Sequence, residues 1–184
     1  MNKFFLRKRL LDLLKKEAFF KEKVKLSSGK ISNCYIDVRR ISLSSKGIYL
    51  ISCLIWQLIK KENITAIGGP TLGADPIVAG VCFLAHQERR KLKGFLVRKT
   101  PKRYGRKRAI EGRELTSQDN VVIVDDVATT GSSLIDAVKK VEKTGARIKK
   151  VIVLVDREEG AKEALLKLGY HLFSFFTKKD FFFK

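Results

Sequence analysis

The spacing of apolar residues changes several times along this chain, and each change predicts an element. In KFFLRKRLLDLLKKEAFF, Leu6, Leu10, Leu13 and Leu14 recur at helical spacing among Arg7, Lys8, Arg9, Asp12, Lys15 and Lys16, predicting an amphipathic helix over about residues 3–18. An extended segment follows through VKLSSGKISNCYIDVRR. From Ser44 or Ser45 to about residue 62, Ile48, Ile51, Leu54, Ile55, Leu58 and Ile59 share one broad apolar side, which predicts a second helix. ITAIGG reads as a short strand entering a glycine turn, and a helix runs from about Asp75 through Ala85. GFLVRK, VVIVDD and KKVIVLVD read as strands, and a helix carrying Leu134, Ile135, Val138 and Val141 separates the last two. A helix from about Gly160 to Leu168 precedes a final extended piece, YHLFSFF. Strands that are apolar on both faces and alternate with helices imply an α/β fold with a mainly parallel central sheet flanked by helices. With no repeat, low-complexity tract or linker, residues 1–184 read as a single domain.

Composition narrows the class. At 184 residues and 45% hydrophobic, the chain can bury a sizeable core and is not compositionally disordered. The three cysteines, Cys34, Cys53 and Cys82, are odd in number and far apart, giving neither a metal-ligand pair nor a disulfide framework, so a reducing, cytoplasmic setting is expected. Charges interrupt the N-terminal helix, leaving no signal-peptide h-region, and no apolar run reaches membrane-spanning length. His86 and His171 stand apart from any metal-like spacing, and Trp56 lies on a helix where packing is the expected role. The net charge of +20 raises a polyanion partner: nucleic acid, an anionic membrane or a phosphorylated substrate. Residues 98–113, RKTPKRYGRKRAIEGR, concentrate eight Lys/Arg against one acid, more than a general lysine bias explains.

The stretch VVIVDDVATTGSS, residues 121–133, carries the chemistry. In an open α/β sheet, ligands bind at the carboxyl ends of strands, where loops lead into helices. Backbone N–H groups and hydroxyls between Ala128 and Ser133, near a helix N-terminus, suit a phosphate. Asp125 and Asp126 would repel that phosphate if aimed at it, so they serve better on neutral hydroxyls or on a divalent cation beside it. An anion at one end and a vicinal diol at the other describe a ribose phosphate. A helix cap is the bland alternative, and it accounts for one such aspartate more readily than for two.

VVIVDDVATTGSS resembles the phosphoribosyl-diphosphate (PRPP) motif of the type I phosphoribosyltransferases. LSSGKISNCYID, GGPTLGADPI, RKTPKRYG and VDREEG resemble, in order over about residues 24–160, the N-terminal substrate segment, second glycine-rich loop, mobile catalytic loop and orotate-side strand end of the orotate phosphoribosyltransferases. The resemblance implies that fold, with a small N-terminal hood formed by about residues 1–40 and the C-terminal end, and a mobile basic loop. It implies transfer of a phosphoribosyl group from PRPP to orotate in pyrimidine biosynthesis, with Mg²⁺ as cofactor. It also implies a homodimer whose basic loop reaches the partner's site, and no membrane partner.

By the same resemblance, Arg98 and Lys99 contact the diphosphate side and Lys102 is the catalytic loop lysine, with Gly105 and Gly112 permitting movement. Tyr104 stands where relatives commonly carry histidine; a phenol binds phosphate but transfers protons poorly near neutral pH, so its expected role is binding. Asp125 and Asp126 hold the ribose and, through water, the metal, while Val127, Ala128, Thr129, Thr130, Gly131, Ser132 and Ser133 wrap the 5′-phosphate. Gly68, Gly69, Thr71, Leu72 and Gly73 offer backbone N–H groups to diphosphate, although some relatives carry a lysine aligned with Gly73. Asp75 is expected to cap the next helix. On the orotate side stand Ser27, Lys30, Tyr35, Thr129 and Arg157, with Ser28 and Gly29 in the same turn; many relatives have lysine in place of Ser27, and a half-buried strand position is the equal alternative for Tyr35. The planar fork of Arg157 suits a carboxylate, against the alternative of an ion pair with Asp156 or Glu159. Two rivals stay open: a purine or uracil phosphoribosyltransferase, and an RNA-binding regulator on the same fold. The basic cluster lacks the aromatic interleaving of a nucleic-acid surface, which argues against the second.

Overall fold

A computed structural model describes residues 2–25, 31–100 and 109–182 of the chain. In chain order the elements are α1 (Lys3–Glu17), β1 (Phe19–Phe20), β2 (Val24–Lys25), β3 (Ile31–Ser32), β4 (Tyr35–Ile36), α2 (Arg39–Ser42), α3 (Ser45–Ile59), β5 (Ala66–Pro70) and α4 (Ala74–Gln87). They continue with β6 (Lys93–Val97), β7 (Ile110–Gly112), β8 (Asn120–Ala128), α5 (Ser132–Glu142), β9 (Arg147–Asp156), α6 (Ala161–Leu166), β10 (Leu172–Thr177) and a closing 3₁₀ turn at Lys178–Phe181. Each helix and long strand predicted from periodicity is present. Two pieces differ. Arg39 and Arg40, expected to end an extended segment, instead begin the short helix α2, because Ile41 and Ser42 turn inward to bury. The end of the basic stretch supplies β7, whose composition carries no strand signal and which forms by pairing with the open edge of β6.

The central sheet runs β10-β9-β8-β5-β6-β7, parallel throughout except for β7 at the edge. Alternation along the inner strands separates two cores. Val122, Val124, Ile152 and Leu154 face a layer that includes Leu6, Leu10 and Leu14 of α1, Leu50, Leu54 and Ile55 of α3, and Ile77 and Val81 of α4. Val121, Ile123, Val151 and Val153 face Leu134, Ala137, Val138 and Val141 of α5. Trp56 is buried in the first layer, whereas His86 and His171 are exposed.

β5 is followed by β6 on one side, and β8 lies on its other side, so the strand order reverses between β5 and β8. That reversal opens a crevice at the carboxyl ends of the strands. Two short hairpin-like pairings, β1 with β4 and β2 with β3, lie between α1 and α2 in the chain. The C-terminal turn joins the first helix: Arg7 donates through Nε to the Phe175 carbonyl at 3.1 Å, lies 4.9 Å over the Phe176 ring and faces Asp180 at 3.7 Å. Phe181 is buried with its ring 5.4 Å from Phe19, and half-exposed Phe182 meets the same ring edge-on at 5.3 Å; Phe183 is outside the described residues.

Candidate active site

The crevice holds a cavity of about 640 Å³, within the usual range for small-molecule sites. Asp125, Asp126, Val127, Thr129 and Ser133 line it from β8 and the following loop, Pro70, Thr71 and Gly73 from the end of β5, and Arg157 from the end of β9. Tyr35, Asp37 and Arg39 close it from the N-terminal segment. A second cavity of about 300 Å³ adjoins the same loops, with Thr71, Lys99, Ser132, Ser133 and Asp136 among its walls.

Local chemistry fixes the acid pair. The Asp126 N–H donates to Asp125 Oδ1 at 2.9 Å, and the Val127 N–H donates to Asp126 Oδ1 at 2.7 Å. Burial pushes Asp125 well above the ordinary carboxylate range, and the adjacent Asp126 charge adds to the rise. Burial also raises Asp126, opposed by the Val127 N–H and by the charge of Arg39. The backbone of Gly73 approaches both carboxylates so closely that a Cβ there would overlap Asp125 Oδ1 and Asp126 Oδ1. Gly68 and Gly69 are demanded equally by backbone proximity, since a Cβ would strike the carbonyls of Phe95 and Val124.

Beyond the acids, Gly131 takes a left-handed φ of +80° and turns the chain into α5, which has no side-chain cap on its first N–H groups. Asp125, Val127, Ala128, Thr129, Gly131, Ser132 and Ser133 help form a cup of about 30 Å³ around this turn. Free N–H groups at a helix start beside two hydroxyls make an anion seat. Thr130, between Thr129 and Gly131 in the chain, is exposed. The loop is tied to its neighbours: the Arg157 N–H donates to the Ala128 carbonyl at 2.9 Å, and the Ala161 N–H to Thr129 at 3.1 Å.

Arg157 is on the cavity wall, and the ion pair weighed against a substrate role is present. Its Nε is ion-paired with Glu159 Oε1 at 3.0 Å while Nη2 donates to the Cys34 carbonyl at 3.4 Å. Lys99 lines the smaller cavity, whereas Arg98 lines neither; its guanidinium faces Glu111 at 3.8 Å. Thr71 is on the walls of both cavities, and Leu72, joined to it by a cis peptide, projects outward at 68% exposure. Asp75, expected to cap α4, does not: Gly73 is at the cap, and Asp75 lies in the first turn with burial raising its carboxyl. Gly112 has a φ of +95° at the end of β7. Ser27, Ser28, Gly29, Lys30, Lys102, Tyr104 and Gly105 lie outside the described residues.

Sequence reasoning missed Arg39 and Asp37. Arg39 Nε meets Asp37 Oδ1 at 3.1 Å, and Nη2 is 3.4 Å from the Tyr35 hydroxyl. The only signal was a charged pair in an extended segment, which gave no reason to place it opposite Asp126.

Residues 97–167 match the model of the phosphoribosyl transferase domain family. An orotate phosphoribosyltransferase of Aquifex aeolicus is 43% identical over 156 residues, 85% of each chain. The chain belongs to the orotate phosphoribosyltransferase family. Among solved members of that family, the Mycobacterium tuberculosis enzyme in complex with 5-phospho-α-D-ribosyl 1-diphosphate superposes with a TM-score of 0.79 at 32% identity, covering 97% of this chain and 99% of that one. The Aeropyrum pernix orotate phosphoribosyltransferase gives 0.73 at 30% identity, covering 94% and 95%. The family's type I fold is the sheet described above, and no described helix is long and apolar enough to cross a membrane.

Proposed function

We propose that this protein joins orotate to PRPP, giving orotidine 5′-monophosphate and diphosphate, as the phosphoribosyl transfer step of pyrimidine biosynthesis. The observation that carries the reading is convergence: the acid pair, the anion seat of the TTGSS turn and Arg157 open on one crevice. The donor's 5′-phosphate sits on the N–H groups and hydroxyls of Thr129–Ser133. Asp125 and Asp126 accept from the ribose hydroxyls, which fixes the anomeric carbon between donor and acceptor. The backbone N–H groups of Leu72 and Gly73 and the side chain of Lys99 face the diphosphate, while the Thr71 N–H is taken by the Val97 carbonyl at 3.1 Å. Arg157, steadied by Glu159, receives the orotate carboxylate, with Tyr35 beside the ring and Ser27 and Lys30 on the pyrimidine edge.

Displacement at the anomeric carbon builds positive charge on the ribose and negative charge on the departing diphosphate. Lys102, with Tyr104 as a phosphate ligand, supplies donors to those oxygens and excludes water. Orotate arrives deprotonated at N1, so no general base is required.

Two adjacent carboxylates, both raised by burial, fit a hydrated divalent cation, which would relieve the cost of ionising them. Mg²⁺ held by Asp125 and Asp126 through water would neutralise charge on the donor's diphosphate. We take residues 1–184 as one domain, working in the cytoplasm as a homodimer in which the basic loop enters the partner's site.

The test is the ultraviolet absorbance of orotate mixed with PRPP, Mg²⁺ and the protein, beside samples lacking Mg²⁺ or carrying Lys102→Ala. Loss of orotate absorbance that needs both the metal and Lys102 supports the assignment. A folded protein that consumes PRPP with adenine, guanine or uracil but not orotate would overturn it.

A further inference from the structure

Lys140 has no part in the chemistry above, yet its position is more constrained than a surface lysine needs. It lies on α5 two turns beyond Ser132, and its side chain is only 17% exposed. Its ammonium group contacts three acceptors: the Arg98 carbonyl at 2.8 Å, the Lys99 carbonyl at 3.3 Å and Asp136 Oδ2 at 2.6 Å. Drawing a lysine out of water and fixing its rotamers costs free energy, so a solvated position is the default, as exposed Lys139 next to it shows. Charged donors on neutral carbonyls are among the stronger hydrogen bonds.

The place where these bonds fall gives them meaning. Parallel pairing of β6 with β5 ends at Val97, so Arg98 and Lys99 are the first residues beyond the ladder. Lys99 then enters the wall of the smaller cavity, opposite Ser132 and Ser133 at the start of α5. The helix whose first turn seats one anion therefore also holds, two turns on, the main chain that presents a cation toward the other. A helix is rigid over that length, so one side chain sets the separation between the two subsites.

We infer that Lys140 is a positioning residue for the donor: it clamps the carbonyls of Arg98 and Lys99 so that Lys99 and the Thr129–Ser133 turn keep the spacing of one molecule carrying phosphate at both ends. The inference rests on the donor half of the proposed function. The clamp is distinct from simple neutralisation of Asp136, which lines the same cavity and shares the contact.

The experiment compares Lys140→Met, Lys140→Arg and the double variant Lys140→Met/Asp136→Asn. Calorimetry with PRPP and Mg²⁺ gives donor affinity, and steady-state assays give separate KM values for PRPP and orotate. Lys140→Met is expected to weaken the donor about ten-fold in both Kd and KM, with the KM for orotate unchanged. Lys140→Arg restores most of the loss, and the double variant stays as weak as Lys140→Met. If methionine prevents folding, Lys140→Gln, a shorter neutral donor, is expected to show the same donor-only loss. Unchanged donor affinity would overturn the inference. So would recovery in the double variant, which would make charge neutralisation the whole effect, or parallel losses for donor and orotate, which would make the role merely structural. A wild type that binds PRPP but leaves orotate untouched would instead sink the acceptor assignment, and the donor titration would still decide this point.

Discussion

Asp125 and Asp126 were conspicuous in the sequence, but their cost was not. The fold raises both carboxyls, chiefly through burial. For an acid raised in the folded state, the stabilising contribution is complete below the ordinary carboxylate value near 4 and is lost as pH rises through the folded values. The metal-free, donor-free protein is therefore expected to lose stability from weakly acidic to neutral pH. Asp125→Asn should raise its melting temperature at pH 7.5, by about 2–4 °C for each kcal/mol relieved, while lowering kcat by about 100-fold or more. Calorimetric melting and the orotate assay would check the opposed signs; a lower melting temperature would refute the argument. Gly73 is a second residue whose meaning depends on neighbours. A methyl group there overlaps the acid pair, so under the ribose-binding role proposed for that pair Gly73→Ala is expected to raise the KM for PRPP about ten-fold or more, by displacing the carboxylates. An unchanged KM would mean that the pair can shift aside without cost.

At the scale of elements, periodicity was enough to find α1, α3, α4, α5 and the inner strands, because their burial repeats at 3.6 or at every residue. The short pieces around the site gave no such signal. α2 and β7 form because neighbouring elements bury or pair with them, and the placement of Arg39 opposite Asp126 follows from β4 meeting β1 across a distance in sequence. The opposite end of the sheet has its own unannounced network. Buried Asp119 accepts from Lys93 at 2.8 Å, from the Thr116 N–H at 2.9 Å and from Thr65 Oγ1 at 2.9 Å, tying β5, β6 and the entry to β8. Burial alone would raise Asp119, but these donors hold it below its ordinary value. A depressed acid stabilises above its unfolded pKa and loses that contribution as pH falls through its folded value. Asp119→Ala is expected to cost about 1–3 kcal/mol in urea unfolding at pH 7, because three donors lose their shared buried acceptor. The gap from wild type should shrink as pH drops below about 4. A constant gap would show that charge has no part in it.

Over the whole molecule, the +20 charge divides into a dense cluster at residues 98–113 and a scatter elsewhere. If the cluster serves a partner's site in a two-fold homodimer, two inactive variants should complement each other. Lys102→Ala and Asp125→Asn, unfolded together and refolded in equal amounts, would give mixed dimers with one intact site, returning about a quarter of wild-type activity by random pairing. No recovery from a verified mixed dimer would place loop and acid pair in the same subunit.

The sequence by itself determined the layered α/β architecture and the donor motif, because both are written in contiguous residues: strand and helix periods in the one case, VVIVDDVATTGSS in the other. The tertiary structure decided what those residues share. Strand order reverses between β5 and β8, so Gly73 comes against Asp125 and Asp126, Arg157 reaches the same crevice, and Lys140 closes on the chain beyond β6. These pairings join residues tens of positions apart, and no local period or composition encodes them. They arise when burying the two faces of one sheet fixes which strand ends become neighbours.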